Sequence, residues 1–309
     1  GDALVRVYAC AITPTELSWS PTYTNQDGVE RLPVIPGHEL SGVVESVAPN
    51  VPDVPDVPDA GNVPDAPNLP DAVKPGDAVY ALTDFFRDGA AAGYVAVHSG
   101  DLAPKPASLT HTQTAAVPLS ALTAWQALFD HAALSKGQSV LIHGAAGGVG
   151  SYAVQLAHWR GARVIGTGNV ADSSFVRDLG ADELIDYREE RFENKVRDVD
   201  VVLDTIGGDT LNRSWGVLRR GGVLVTIVGN VPAEQASRYG VRGVNFIVKP
   251  SRSQLIEITR LIEAGELRPI VAATYPLEKA REAFERGLGG HNRGKIVLQV
   301  GELDPDRYS

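Results

Sequence analysis

Ser139-Val140-Leu141-Ile142-His143-Gly144-Ala145-Ala146-Gly147-Gly148-Val149-Gly150 is the stretch on which the fold turns. A short apolar run opens into a glycine-dense turn. Beyond it, Val149, Tyr152, Ala153, Leu156 and Ala157 recur at the i, i+3, i+4, i+7, i+8 spacing of an amphipathic helix. Strand, tight turn and helix is therefore the expected order. Gly147 and Gly150 take the second and third positions of a dinucleotide fingerprint, where a missing side chain lets backbone approach a pyrophosphate and helix approach strand. Ala145 takes the first. The helix start would offer free N–H groups and the positive end of its dipole to phosphates.

Alone, such a turn also fits an ordinary strand-to-helix connection, so its surroundings matter. A helix closing at Gly161 is followed by strand-like runs at residues 163–166, 183–186, 199–204, 223–228 and 244–248. Helical or turn-rich segments separate them. That alternation predicts an α/β domain with a doubly wound parallel sheet.

The chain has 309 residues, 43% hydrophobic and 21% charged, enough for two domains with separate cores. A net charge of −10 without a basic stripe argues against nucleic acid or an anionic membrane as a partner. No apolar run reaches membrane-spanning length and no signal peptide is evident. The single Cys10 excludes an internal disulfide and suits a reducing compartment, so a cytoplasmic location is expected. The sequence lacks methionine and opens inside a strand-like pattern at Ala3-Leu4-Val5-Arg6-Val7, which implies a missing N-terminal strand.

Residues 1–111 read as short strands broken by proline and glycine. Residues 50–73 repeat Val-Pro-Asp and its variants; proline at every third position predicts an irregular or polyproline-like surface loop. One crossing helix is expected over 115–129 and another over 251–265, after which the chain returns to the first domain. The expected division is 1–111 with 249–309, and 112–248.

Tyr8-Ala9-Cys10-Ala11-Ile12-Thr13-Pro14-Thr15-Glu16-Leu17, Pro36-Gly37-His38-Glu39-Leu40-Ser41-Gly42 and the glycine turn together resemble the medium-chain dehydrogenase/reductase superfamily. Pro118-Leu119-Ser120-Ala121-Leu122-Thr123-Ala124-Trp125, Leu179-Gly180-Ala181-Asp182, Val202-Leu203-Asp204-Thr205-Ile206-Gly207-Gly208 and Arg293-Gly294-Lys295-Ile296-Val297-Leu298 resemble its zinc-independent quinone oxidoreductase branch. The resemblance implies a GroES-like β-barrel catalytic domain beside a Rossmann domain, and NADPH-dependent hydride transfer to a quinone or an activated C=C bond. A pathway-specific enoyl or alkenal reductase and a weakly catalytic NAD(P)H sensor are the alternatives. It also implies a homodimer joined through the nucleotide-domain sheet edge.

Several residues follow from the resemblance. Zinc relatives have a ligand cysteine where Thr13 stands, and His38 matches their ligand histidine, so without a cysteine cluster no metal is expected. Thr13, Tyr23, His38 and Tyr94 are the candidate donors to a developing enolate or phenolate. Glu16 replaces the usual aspartate and would order its loop. The cofactor would lie against Thr123, Gly144, Ala145, Ala146, Gly147, Gly148, Val149, Thr167, Asn169, Tyr187, Thr205, Ile206, Val228, Gly229 and Lys295. At the end of the second strand Gly166-Thr167-Gly168 carries no carboxylate to repel a 2′-phosphate, which favours NADPH. The expected Ser and Arg/Lys grip is replaced by Asn169-Val170-Ala171-Asp172, which leaves NADH possible. Asp172 could repel the phosphate or cap the next helix, and Arg188 could supply the missing cation.

Overall fold

The computed structural model describes residues 1–48, 72–290 and 292–301. The Val-Pro-Asp repeat lies outside them, apart from its last residues. Five strands come from the N-terminal part: β1 Asp2–Ile12, β2 Glu39–Val47, β3 Ala78–Leu82, β4 Tyr94–His98 and β5 Ala103–Pro104. β1 pairs antiparallel with both β2 and β4, and β2 with β3. Alternation along β4 leaves Val95 and Val97 inside and Tyr94, Ala96 and His98 outside.

A six-stranded parallel sheet follows, built from β6 Ser139–His143, β7 Arg163–Gly168, β8 Glu183–Asp186, β9 Val199–Asp204, β10 Leu218–Thr226 and β11 Arg242–Asn245. Its order, β11-β10-β9-β6-β7-β8, reverses direction between β6 and β9. Ligands bind such sheets outside the carboxyl ends of the strands at that switch point. Two last strands, β12 Val271–Pro276 and β13 Lys295–Gln299, leave this sheet and join the first, where β13 pairs with β1 through Ala9–Gln299 to Ile12–Ile296.

Three expectations are adjusted. The helix expected over 115–129 starts later, at Pro118, and runs through Trp125 into a π-helical turn at Gln126–His131; a separate short helix, His111–Ala115, precedes it, and Pro118 has no N–H to join the two. β11 stops at Asn245, and Phe246, Ile247 and Val248 leave the sheet to line the cleft described below. β10 starts at Leu218, and its register slips before Val223, where Gly221 has φ +75°.

Candidate active site

At the switch point a cleft of about 1010 Å³ opens between the parallel sheet and the first sheet. One wall is the fingerprint turn. Gly144 has φ +71°, which favours glycine, and a Cβ there would stand 2.6 Å from Thr205 Oγ1. A Cβ on Gly150 would come within 2.1 Å of the Gly144 carbonyl oxygen, so the helix Gly148–Trp159 can start only on a bare backbone. Gly144, Ala146, Gly147, Gly148, Val149 and Gly150 all face the cleft. The N–H groups of this first helical turn have no intrahelical acceptor. This cradle fits a dinucleotide pyrophosphate. Ala145 does not reach the cleft: it is fully buried beneath the turn against Gly166, and its N–H donates to the Thr167 carbonyl at 3.0 Å.

The floor is polar and neutral. Ser214 Oγ donates to the Thr210 carbonyl at 2.7 Å, so it accepts from His143 Nε2 at 2.9 Å. His143 Nδ1 then accepts from Thr167 Oγ1 at 3.0 Å, leaving the threonine lone pairs toward the cleft. Burial pushes His143 down to about 4, which keeps the imidazole neutral. Thr205 Oγ1 ties β9 to β6 by donating to the His143 carbonyl at 2.8 Å. The first-turn N–H groups and the Thr167 lone pairs can therefore serve phosphate and sugar hydroxyls respectively.

Around the far end lie Asn169, Tyr187, Ile206 and Val228, as expected from the sequence. Gly229 is absent from the cleft wall; its backbone packs on Leu211. Asn169 Oδ1 accepts from the Ala171 N–H at 3.0 Å, capping a short turn. Asp172 neither caps a helix through its side chain nor stands as a free charge. It is buried, and Arg293 Nε donates to its carboxylate at 2.6 Å. Arg188 does not supply the missing cation at the wall, because its guanidinium lies over the Tyr187 ring at 5.8 Å, outside the cleft lining. Arg213 does reach the wall, but is ion-paired to Glu193 and Asp209 at 2.7 and 2.9 Å.

The opposite wall comes from the first sheet. Thr13 follows β1 and opens a tight turn, where its N–H donates to Glu16 Oε2 at 3.4 Å and its carbonyl accepts from the Glu16 N–H at 2.8 Å. Lys295, at the start of β13, reaches over from the other end of the chain. Its ammonium donates to Thr13 Oγ1 at 3.1 Å and ion-pairs with Glu39 Oε1 on β2. Glu39 Oε2 in turn accepts from the Leu119 N–H at 3.0 Å. Thr123 faces the same space, its hydroxyl spent on the Leu119 carbonyl at 2.6 Å. Glu16 is buried beneath this wall, and burial raises its carboxyl to about 8 against the pull of the Lys295 charge, so it is neutral at pH 7. Burial likewise pushes the Cys10 thiol well up, with Glu16 and Glu39 adding to the effect. Cys10 is packed under Gly37 and chemically quiet.

Matches to known proteins run the length of the chain. Residues 1–107 match the model of the alcohol dehydrogenase GroES-like domain and 179–298 that of zinc-binding dehydrogenases. A protein of Arthroderma benhamiae named "Probable zinc-binding oxidoreductase, mitochondrial" is 34% identical, over 97% of this chain and 88% of its own. The mitochondrial NAD(P)H oxidoreductase RTN4IP1 of Mus musculus is 30% identical over 97% and 82%. The solved quinone oxidoreductase of Coxiella burnetii superposes with a TM-score of 0.82 at 28% identity, over 97% and 90%. The chain belongs to the medium-chain dehydrogenase/reductase superfamily. It is an oxidoreductase enzyme of that superfamily.

Membership raises zinc, and the donor set does not fit it. His38 lies in an aromatic box, with ring centroids of Phe85 at 5.0 Å and Trp19 at 6.4 Å, and its Nε2 meets no donor or acceptor. Burial lowers its pKa to about 4. Among the described residues no three His, Cys, Asp or Glu side chains are placed to hold a metal ion.

Of the four candidate donors only Thr13 lines the cleft. His38 is sealed behind Trp19 and Phe85, which do line it. Tyr23 spends its hydroxyl on the Leu17 carbonyl at 2.7 Å. Tyr94 is half exposed on β4, since the strand's alternation turns it outward. Sequence reasoning missed Glu39, although a carboxylate at the head of the apolar run Leu40-Ser41-Gly42-Val43-Val44 was a visible anomaly.

Proposed function

We propose that this oxidoreductase is a zinc-independent reductase that takes hydride from NADPH, with NADH as second choice, and delivers it to a small quinone or an activated C=C bond. The observation that carries this reading is the pairing, across one cleft, of a phosphate-fitting glycine turn with the Thr13–Lys295 wall. The nicotinamide, when bound, supplies the hydride and the protein supplies position. Trp19, Phe85, Leu119, Phe246 and Val248 make the reaction end apolar, which excludes water and suits a flat, electron-poor acceptor. Thr13 and Lys295 are linked polar groups on that wall, placed to meet the negative charge that a hydride addition leaves on oxygen. The relatives named NAD(P)H oxidoreductase and quinone oxidoreductase support the same reading.

NADPH is preferred because Gly168 ends β7 without a carboxylate and because Arg293 takes up the charge of Asp172. We further propose a homodimer through the exposed edge of β11, whose only strand partner among the described residues is β10, and a cytoplasmic site of action consistent with the single buried thiol.

Titration with NADPH and NADH, followed by absorbance decay on adding a quinone and an enone panel, tests the proposal. Tighter NADPH binding with decay is expected. Tighter NADH binding reverses the cofactor preference, and saturable binding without decay against any acceptor replaces the reductase with a sensor. As a check on zinc independence, His38→Phe should keep turnover within about threefold, and the purified protein should hold no stoichiometric zinc. A substantially larger loss would return His38 to the chemistry.

A further inference from the structure

Lys295 and Thr13 make a polarised pair, and the direction of their hydrogen bond has a chemical consequence. An ammonium can only donate, so at 3.1 Å the Thr13 oxygen is the acceptor. Thr13's own proton must then go elsewhere, and among the described residues no acceptor takes it. Thr13 is partly exposed and lines the cleft. Lys295 itself cannot wander: its stem crosses Gly148, where a Cβ would meet Lys295 Cδ at 3.1 Å, and its head is clamped by the Glu39 carboxylate. Glu39 is fixed through its second oxygen by the Leu119 N–H, at the start of the helix that carries Thr123 into the cleft.

We propose that Thr13 is the residue that hands a proton to the substrate oxygen, with Lys295 as the proton source behind it and Glu39 as the positioning residue. This rests on the reductase reading. In an enone, hydride forms a new C–H bond at the β-carbon, the C=C pair shifts to the adjoining bond and the C=O π pair settles on oxygen. The Thr13 proton moves to that oxygen as a Lys295 Nζ proton moves to Thr13. The resulting enol becomes the ketone, the two electrons of the hydride having come from the reduced cofactor, and the Lys295 amine regains its proton from water. A quinone takes the same proton on the oxygen that its reduction charges. The neighbouring Glu16, neutral at pH 7, adds no competing anion.

Thr13→Val keeps the shape and removes the hydroxyl; Thr13→Ser keeps the hydroxyl. Two readouts are needed, one of them independent of turnover. In the first, 4-nitrophenol is added to the protein loaded with oxidised cofactor, and its absorbance reports whether the bound phenol ionises. Wild type and Thr13→Ser are expected to lower its apparent pKa by about one unit or more, and Thr13→Val to abolish the shift. In the second, Thr13→Val should lose roughly 100-fold in turnover, with cofactor affinity within twofold, while Thr13→Ser stays within about tenfold of wild type. The double variant K295M/E39L removes the buried pair together and so guards against misfolding of either single change; it should behave like Thr13→Val at an unchanged melting temperature. No shift in wild type, a shift that survives Thr13→Val, or turnover of Thr13→Val within threefold of wild type overturns the proposal. A phenol shift without any acceptor turnover would instead sink the reductase reading and leave the oxyanion site standing.

Discussion

On one wall of the cleft the functional atoms belong to backbone; on the other they belong to polar and charged side chains, Thr13, Glu39 and Lys295, gathered from separate parts of the chain. The glycine turn works by what it lacks, since a Cβ on Gly144 or Gly150 would strike Thr205 or the Gly144 carbonyl. Its supporting groups, His143, Thr167 and Ser214, form a neutral chain in which each hydroxyl or ring nitrogen has a set donor or acceptor role. The barrel wall works by what it buries: Lys295 and Glu39 as an ion pair, with Glu16 beside them as a neutral acid. A cofactor needs a surface shaped to its phosphates, and bare backbone supplies it without buried charge. Charge developing on a substrate needs a cation in a dry place, and that cation must be paid for by a fixed counter-ion.

If this contrast is right, the charged wall should be the fragile one. Glu39→Ala strands the Lys295 ammonium among buried atoms and is expected to lower stability by about 3–5 kcal/mol in urea unfolding. A loss under about 1 kcal/mol would mean that Lys295 finds water and that the wall is wetter than the packing implies. Gly150→Ala on the other wall should cost about 1–3 kcal/mol by overpacking, and more tellingly should weaken NAD(P)H binding measured by nicotinamide fluorescence. An alanine variant that bound the cofactor as wild type does would break the case for a bare backbone.

The third effect is a slope. The folded-state pKa of Glu16, about 8, lies above the ordinary carboxyl value of 4.5, so the folded state holds a proton there that the unfolded chain gives up. Its contribution is fully present below pH 4.5 and is lost as pH rises through 8. Wild type should therefore lose up to about 1.4 kcal/mol per pH unit across that window relative to Glu16→Gln, which has no proton to lose. Parallel stability curves for the two proteins would show that Glu16 is ionised in the fold, and that the barrel wall carries an extra anion.

Much of this architecture is legible in the chain because local rules set it. β8 and β9 begin and end at the residues expected for them, 183–186 and 199–204, and the helix after the turn starts at Gly148 and closes before Gly161 because glycine spacing and 3.6-residue periodicity are short-range signals. Where local rules compete, the boundary moves, as at Pro118, which becomes the first residue of the helix expected from 115. The site was legible in the same proportion. Gly144 to Val149, apart from the buried Ala145, and Thr167, Asn169 and Thr205 are all in or beside motifs that carry their own geometry, and they line the cleft. Tyr23, His38 and Tyr94 are candidate donors by residue type, and residue type does not say which way a side chain points.

By itself, then, the sequence determined the order of strands and helices, the glycine cradle and membership of an oxidoreductase superfamily, since each depends on residues close together in the chain. Only the tertiary structure decided that Lys295 meets Thr13 and Glu39, that Arg293 holds Asp172, and that an aromatic box seals His38. Those contacts join residues more than a hundred positions apart or depend on strand facing, and a charge buried by folding finds its partner only when the sheets that carry the two are packed together.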